Sequence, residues 1–180
     1  YGPLDHLPRN RREVYQVFGN PGVGKPDKGW ERDNIVTVRD MPGVPSKWYF
    51  RCHRLAEPYI REAFRRAQLA APEYAIERAA SYVFRHIRHD RRKPLSYHSW
   101  GIAVDIDPHR NFGKTFKKGQ TPESWSDQYN TIWPNGLPRA FVKAFQSVGF
   151  ASGIDWDEDG FSSDHTFLDP MHMELVDRGS

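Results

Sequence analysis

Cysteine is almost absent: Cys52 is the single one in 180 residues. A lone thiol excludes an internal disulfide framework and a Cys-based zinc knuckle, so any metal here must rest on histidine and carboxylate. No stretch approaches the ~18 consecutive apolar residues of a membrane-spanning helix. No basic-then-apolar leader pattern, internal repeat or low-complexity tract is visible. Excess charge is small as well. Lys plus Arg number 26 and Asp plus Glu 23, a net +3 with a pI near 9.0. That surplus is too slight to make nucleic acid the expected partner, although it suits an anionic polymer. The segment Gly22-Val23-Gly24-Lys25 lacks the spacing of a phosphate loop, and Pro26 occupies the place of its Ser or Thr. Aromatics, by contrast, are abundant: 6 Trp, 8 Tyr and 11 Phe, 14% of the chain. Disordered chains are poor in aromatics, so one packed domain spanning residues 1–180 is expected.

Residues 1–45 are rich in Pro, Gly and charge and read as a loop-rich N-terminal elaboration. Residues 35–38 read as a strand, and so do residues 47–51. Leu55, Tyr59, Ile60, Ala63, Phe64 and Ala67 keep helical spacing over 53–70, and Pro72 fits the start of a short helix through 80. Residues 82–89 and 102–106 read as strands. Residues 122–129 form a short expected helix. A better one spans 138–148, stopped by Gly149, and residues 171–176 form a last strand. Strands and helices mix without a regular βαβ rhythm. The fold class expected is therefore α+β, with a small, mainly antiparallel sheet flanked by helices.

The chemistry concentrates in Ser96-x-His98-x-x-Gly101-x-Ala103-x-Asp105. His98 lies in a turn and Asp105 on the strand after it. Gly101 and Ala103 are small enough for close approach. One nitrogen and one oxygen are plausible zinc ligands, and a catalytic zinc needs a third protein ligand. Asp169-x-x-His172-x-Glu174 offers a distant histidine. His172 and Glu174 share one face of a strand, while Asp169, just outside it, can swing over the metal. One of the two carboxylates is then a candidate general base. Two other groups compete for attention. Asp155, Asp157, Asp159 and Gly160 have the spacing that opens a calcium loop, but Thr166 stands where its twelfth-position Glu belongs, and a solvated loop is the expectation. Arg85 to Lys93 is the densest basic run. It reads as a solvated strand end, with carboxylate binding or a nucleic-acid contact as functional alternatives.

The first motif matches, at all five fixed positions, the signature of the zinc D-alanyl-D-alanine carboxypeptidases and L-alanoyl-D-glutamate endopeptidases. The chain resembles this family, which includes VanY-like enzymes and phage endolysins and shares the LAS-type fold with the hedgehog signalling domain. Asp107-Pro108 with Asn111, and Gly149-Phe150 through Trp156, extend the resemblance over roughly residues 80–176, the recognisable catalytic core. It implies one Zn2+ per chain held by His98, Asp105 and His172. It implies Asp169 as the base, with Glu174 in reserve. It also implies an arginine ahead of the first motif that holds the substrate carbonyl or carboxylate. Arg85 and Arg88 face opposite sides of the expected strand, so only one enters the site, and Arg85 is preferred. Ser96 is read as fixing the turn or supporting a ligand. Trp100 is read as a cleft residue, and His165 as a support, a substrate contact or simply exposed.

The resemblance implies metal-assisted hydrolysis of an amide in the peptide stem of peptidoglycan, at the bacterial cell wall, by a monomer. The setting could be periplasmic, extracellular or phage-delivered. L-alanoyl-D-glutamate endopeptidase activity is preferred over D-Ala-D-Ala carboxypeptidase activity. A non-catalytic zinc-containing binding domain is the alternative of another class.

Overall fold

The computed structural model describes residues 2–47 and 49–178. It is α+β, and the strand pairs are antiparallel. Two short helices open the chain, α1 (Arg11–Phe18) and α2 (Lys28–Asn34). They correct the loop-only expectation for this region. Each has a local cause. Asn10 caps α1 by accepting from the Glu13 amide at 3.0 Å, and Asp27 caps α2 by accepting from the Trp30 amide at 3.0 Å. A side-chain oxygen at this position satisfies one of the helix's orphan donors.

A hairpin follows, β1 (Ile35–Val38) paired with β2 (Phe50–His53). The second strand lies about three residues beyond its expected place, and Trp48 falls outside the described residues. Helix α3 (Glu57–Ala70) starts four residues later than expected, with Glu57 and Pro58 in its first turn. The short helix expected over 72–80 does not form. Those residues are turn and extended chain ending in β3 (Ala79–Ala80), where pairing with the sheet overrides the proline signal.

The main sheet runs β3, β4 (Ala103–Ile106), β7 (Phe167–Glu174), β5 (Lys114–Thr115), with β6 (Ala151–Gly153) also on β7. Helix α4 (Asp127–Ile132) starts later than expected because Ser126, not Pro122, caps it. Helix α5 (Arg139–Val148) ends at Gly149 as expected. Its buried face, Phe141, Val142, Ala144, Phe145 and Val148, meets the Tyr59, Ile60, Ala63, Phe64 and Ala67 face of α3. Phe64 and Phe145 meet edge-on at 5.0 Å. Burying such a ring contributes roughly 1.5–3 kcal/mol. Cys52 lies in this core, and burial pushes its thiol up to about 12, which removes it as a nucleophile.

Candidate metal centre

Two neighbouring strands set the site. Asp105 on β4 stands directly opposite His172 on β7 in the register. Cross-strand partners lie close enough for their side chains to interact. His98 arrives from a 3-10 turn, Tyr97–Trp100, just before β4. Ser96 caps that turn, its hydroxyl accepting from the His98 amide at 3.3 Å. Gly101 ends it with φ 71°, and a Cβ there would press on the backbone between Cys52 and His53. The motif's Ser and Gly therefore shape the turn that aims His98.

His98 Nε2 lies 3.2 Å from Asp105 Oδ2, and His172 Nδ1 lies 3.4 Å from Asp105 Oδ1. Four ligands around one zinc, at ~2.0–2.1 Å each, lie about 3.3 Å apart. The spacing therefore suits a shared ion. The tautomers suit it too. His98 Nδ1 donates to the Ser81 carbonyl at 2.7 Å, which leaves the Nε2 lone pair facing Asp105. His172 Nε2 donates to Glu174 Oε1 at 2.9 Å, which leaves Nδ1 facing Asp105. His98 Nε2 and Asp105 Oδ1 are buried and make no hydrogen bond with any described residue. Buried polar atoms left this way call for a further partner. A nitrogen, carboxylate and nitrogen set is a zinc donor set, so these residues fit the metal.

Electrostatics agree with that fit. Burial opposes charge on Asp105, but His98 and His172 outweigh it and hold the carboxyl well below the usual carboxylate range. Burial also disfavours a charged His172, but Asp105 and Glu174 outweigh it and raise its pKa. A ring that strongly attracts a proton is also a strong donor to a cation.

A cleft of about 1040 Å³ opens onto His172 and Asp169. Asp169 sits inside β7, not just beyond it as expected. It stands three residues before His172, an odd spacing that would put the two on opposite faces of a regular strand. The register between β6 and β7 shifts between Ser152 and Gly153, and this irregularity brings Asp169 round to the cleft. Gly153 is required there, because a Cβ would collide with the Asp169 backbone. Burial raises the Asp169 pKa, and Asp105 adds to this against the opposing charges of His172, His98 and Arg85.

The remaining expected residues divide. Residues 82–89 are not a strand. They end in a 3-10 turn at Ile87–His89, with Arg88 at φ 55° and His89 at φ 59°. The opposite-faces expectation is therefore corrected: Arg85 and Arg88 both line the cleft. Ser99 ties the Arg85 backbone to the motif turn, donating to its carbonyl at 2.9 Å and accepting from its amide at 3.0 Å. Arg88 lies 4.3 Å over the Phe167 ring and donates to Thr115 at 3.1 Å. Glu174 is no base. It is buried, and its second oxygen accepts from Arg178 Nε at 2.6 Å. Trp100 is corrected from cleft to core. It is fully buried against α1, edge-on to Tyr15 at 5.0 Å, with its indole donating to the Gly19 carbonyl. The aromatic residues lining the cleft are Tyr97, Phe167 and Trp156, the last 5.5 Å from the His172 ring. His165 also lines the cleft. Ser81, which orients His98, gave no signal in the sequence because it acts through its carbonyl. The N-terminal elaboration contributes Arg9, Asn10 and Arg11 to the cleft wall.

A His-Asp-His triad with both imidazoles buried, beside an acidic residue in a cleft and on an antiparallel sheet, defines a candidate metallohydrolase centre. The sequence model of the D-alanyl-D-alanine carboxypeptidase family matches residues 89–175. The chain resembles this peptidase family across that segment, which holds His98, Asp105, Asp169 and His172 and omits both cleft arginines of the preceding loop. The match supports a peptidase, and so a hydrolase, of a family that acts on peptidoglycan and uses zinc. Searches of curated proteins and of solved structures gave no match. Among the described residues no helix is long and apolar enough to cross a membrane.

Proposed function

We propose that the chain is a zinc metallopeptidase that hydrolyses an amide in the peptide stem of bacterial peptidoglycan, at the L-alanoyl-D-glutamate bond. The observation that carries the reading is the His98–Asp105–His172 triad, at zinc-ligand spacing beside Asp169. His98, Asp105 and His172 hold one zinc per chain. When bound, zinc supplies Lewis acidity, lowering the pKa of water from 15.7 toward ~7 and polarising a carbonyl. Asp169 takes the proton of the attacking water and returns it to the leaving amine. Its raised pKa makes it a stronger base than an exposed aspartate. Arg85 donates to the substrate carbonyl oxygen as charge grows there, an effect worth roughly 3 kcal/mol where measured.

The cleft wall supports an anionic substrate: Arg9, Arg11, Arg85, Arg88, Lys93 and Arg178 line it. A stem cut beside D-glutamate presents more than one carboxylate to such a wall. The active unit is a monomeric single domain, residues 1–180, with its core at 80–176, acting at the cell wall. The description of the matched family favours a second reading, D-Ala-D-Ala carboxypeptidase activity. Retention of an acid at Asp169 favours either enzyme over a non-catalytic zinc domain.

Mass spectrometry of digested muropeptides separates the readings. A new N-terminal D-glutamate is expected. Loss of a terminal D-alanine alone would replace the endopeptidase with the carboxypeptidase, and no product from zinc-loaded protein would remove both.

A further inference from the structure

The cleft follows β7, and its two ends differ. At the Phe167 end, Arg88 stacks on the ring. At the Glu174 end stand Arg11, from α1, and Arg178, beyond β7. Both lie outside the segment 89–175 that the family model matches. Each guanidinium is held in place. Arg178 Nε donates to Glu174 Oε2 at 2.6 Å, and its guanidinium carbon lies 5.4 Å from the Trp156 ring. Arg11 donates to the Leu95 carbonyl at 2.6 Å. The two also meet the same ring, Tyr97, at 4.9 Å for Arg11 and 5.9 Å for Arg178. Contact at this range attracts a cation and fixes where it sits. A guanidinium has five N–H donors, so each arginine keeps donors to spare. Negative charge is short at this end. Glu174 is shared between Arg178 and His172, Asp157 faces His165, and Arg9 takes Glu13 at 2.7 Å. Arg11 has no carboxylate partner among the described residues. Fixed guanidinium forks with unfilled donors match the geometry of a carboxylate.

We propose that Arg11 and Arg178 form a carboxylate subsite at the Glu174 end of the cleft, which takes an acidic group of a peptide substrate one or two residues beyond the bond that is cut. This subsite rests on the peptidase reading and deepens it by naming what sets substrate choice. Its reach follows from a single link: the Glu174 carboxylate alone separates the Arg178 guanidinium from the His172 ring. Extended peptide covers ~3.3–3.6 Å per residue, so the next residue or two past the metal centre arrive there. In a peptidoglycan stem the acids lie on the D-glutamate side of the L-alanoyl-D-glutamate bond, so the stem lies with that side toward Arg178. Arg85, on the loop before the first motif, stays with the reacting carbonyl. Chain outside the matched peptidase segment thereby selects among peptides that the metal centre would otherwise cut alike.

Titration calorimetry on zinc-loaded Asp169→Ala protein, in which loss of the base slows cutting, tests this with two probes. One is L-alanyl-γ-D-glutamyl-L-lysine with both carboxylates free, and the other is the same peptide with both amidated. The free acid should bind roughly tenfold tighter or more, the size of a hydrogen bond to a charged group. Adding Arg11→Gln or Arg178→Gln should each shrink that ratio several-fold, by weakening the acid and sparing the amide. A variant that only disturbs the fold weakens both probes together and leaves the ratio alone. That result in both variants would overturn the subsite. So would an acid that binds no tighter than the amide, or no saturable binding of either probe. Muropeptide products of the native protein are read separately. Cleavage at the L-alanoyl-D-glutamate bond with an unchanged ratio removes the subsite and keeps the peptidase. A ratio that collapses in the variants, without cleavage at that bond, keeps the subsite and removes the bond choice.

Discussion

Asp105 stands between two imidazoles whose other ring nitrogens are engaged by Ser81 and Glu174, so the ring nitrogens that face it are the ones free to take a cation. A proton on His172 satisfies the carboxylate until a cation displaces it, so the protein's own hydrogen bonds orient the triad for metal. Asp169 is left as the acid in the cleft with no metal-ligand role. Asp169→Ala should therefore cut peptidoglycan hydrolysis by roughly 10²–10⁴-fold, the range of a general base, while zinc content and thermal unfolding stay as in the native protein. Peptide release at the native rate would remove Asp169 from the mechanism. At this scale the sequence was most legible where side chains act. His98, Asp105, Asp169 and His172 announce themselves by type and spacing. Ser81 acts through a carbonyl that every residue has, so its identity carried no signal. Trp100 misled because a motif position says nothing about which way a side chain turns, and here it turns toward α1.

Elements with a strong period were the easiest to read. The apolar faces of α3 and α5 continue over several turns and mark both helices. They also hold the layer on which the sheet rests. Phe64→Ala removes a fully buried ring from their contact and should destabilise the fold by about 3–5 kcal/mol in urea unfolding. A loss below about 1 kcal/mol would show that the α3–α5 contact is not central to the core. Short elements were hidden. The caps Asn10 and Asp27 were present, but each opens a helix of eight or seven residues inside a run of Pro, Gly and charge. Residues 82–89 have strand-like composition, yet Arg88 and His89 adopt left-handed backbone that no propensity announces. The irregularity in the β6–β7 pairing that turns Asp169 into the cleft depends on the bare backbone of Gly153, legible as a glycine but not as a register shift.

Across the whole molecule, the N-terminal helices wrap the sheet around one buried histidine. His53 is fully buried, edge-on to Phe18 at 4.9 Å and beside Trp30. Burial lowers its pKa to about 4, against 6.5 for an unhindered imidazole. The unfolded chain gains a proton below pH 6.5 that the fold refuses. This contribution to stability is therefore complete above about pH 6.5 and falls as the pH drops toward 4, by roughly 3 kcal/mol in all. Urea unfolding at pH 7 and pH 4.5 should show the loss, and His53→Phe should flatten it. An equal loss in the variant would place the acid sensitivity elsewhere. The same wrapping carries Arg9 and Arg11 to the cleft, so the part of the chain that was least readable joins the part that was most readable. The account rests in the end on one metal in the His98–Asp105–His172 triad. Zinc added stepwise to metal-free protein, with peptide release from peptidoglycan measured at each step, tests this most directly. Activity should rise from zero and level off at one zinc per chain. Full activity before any zinc is added would contradict the account.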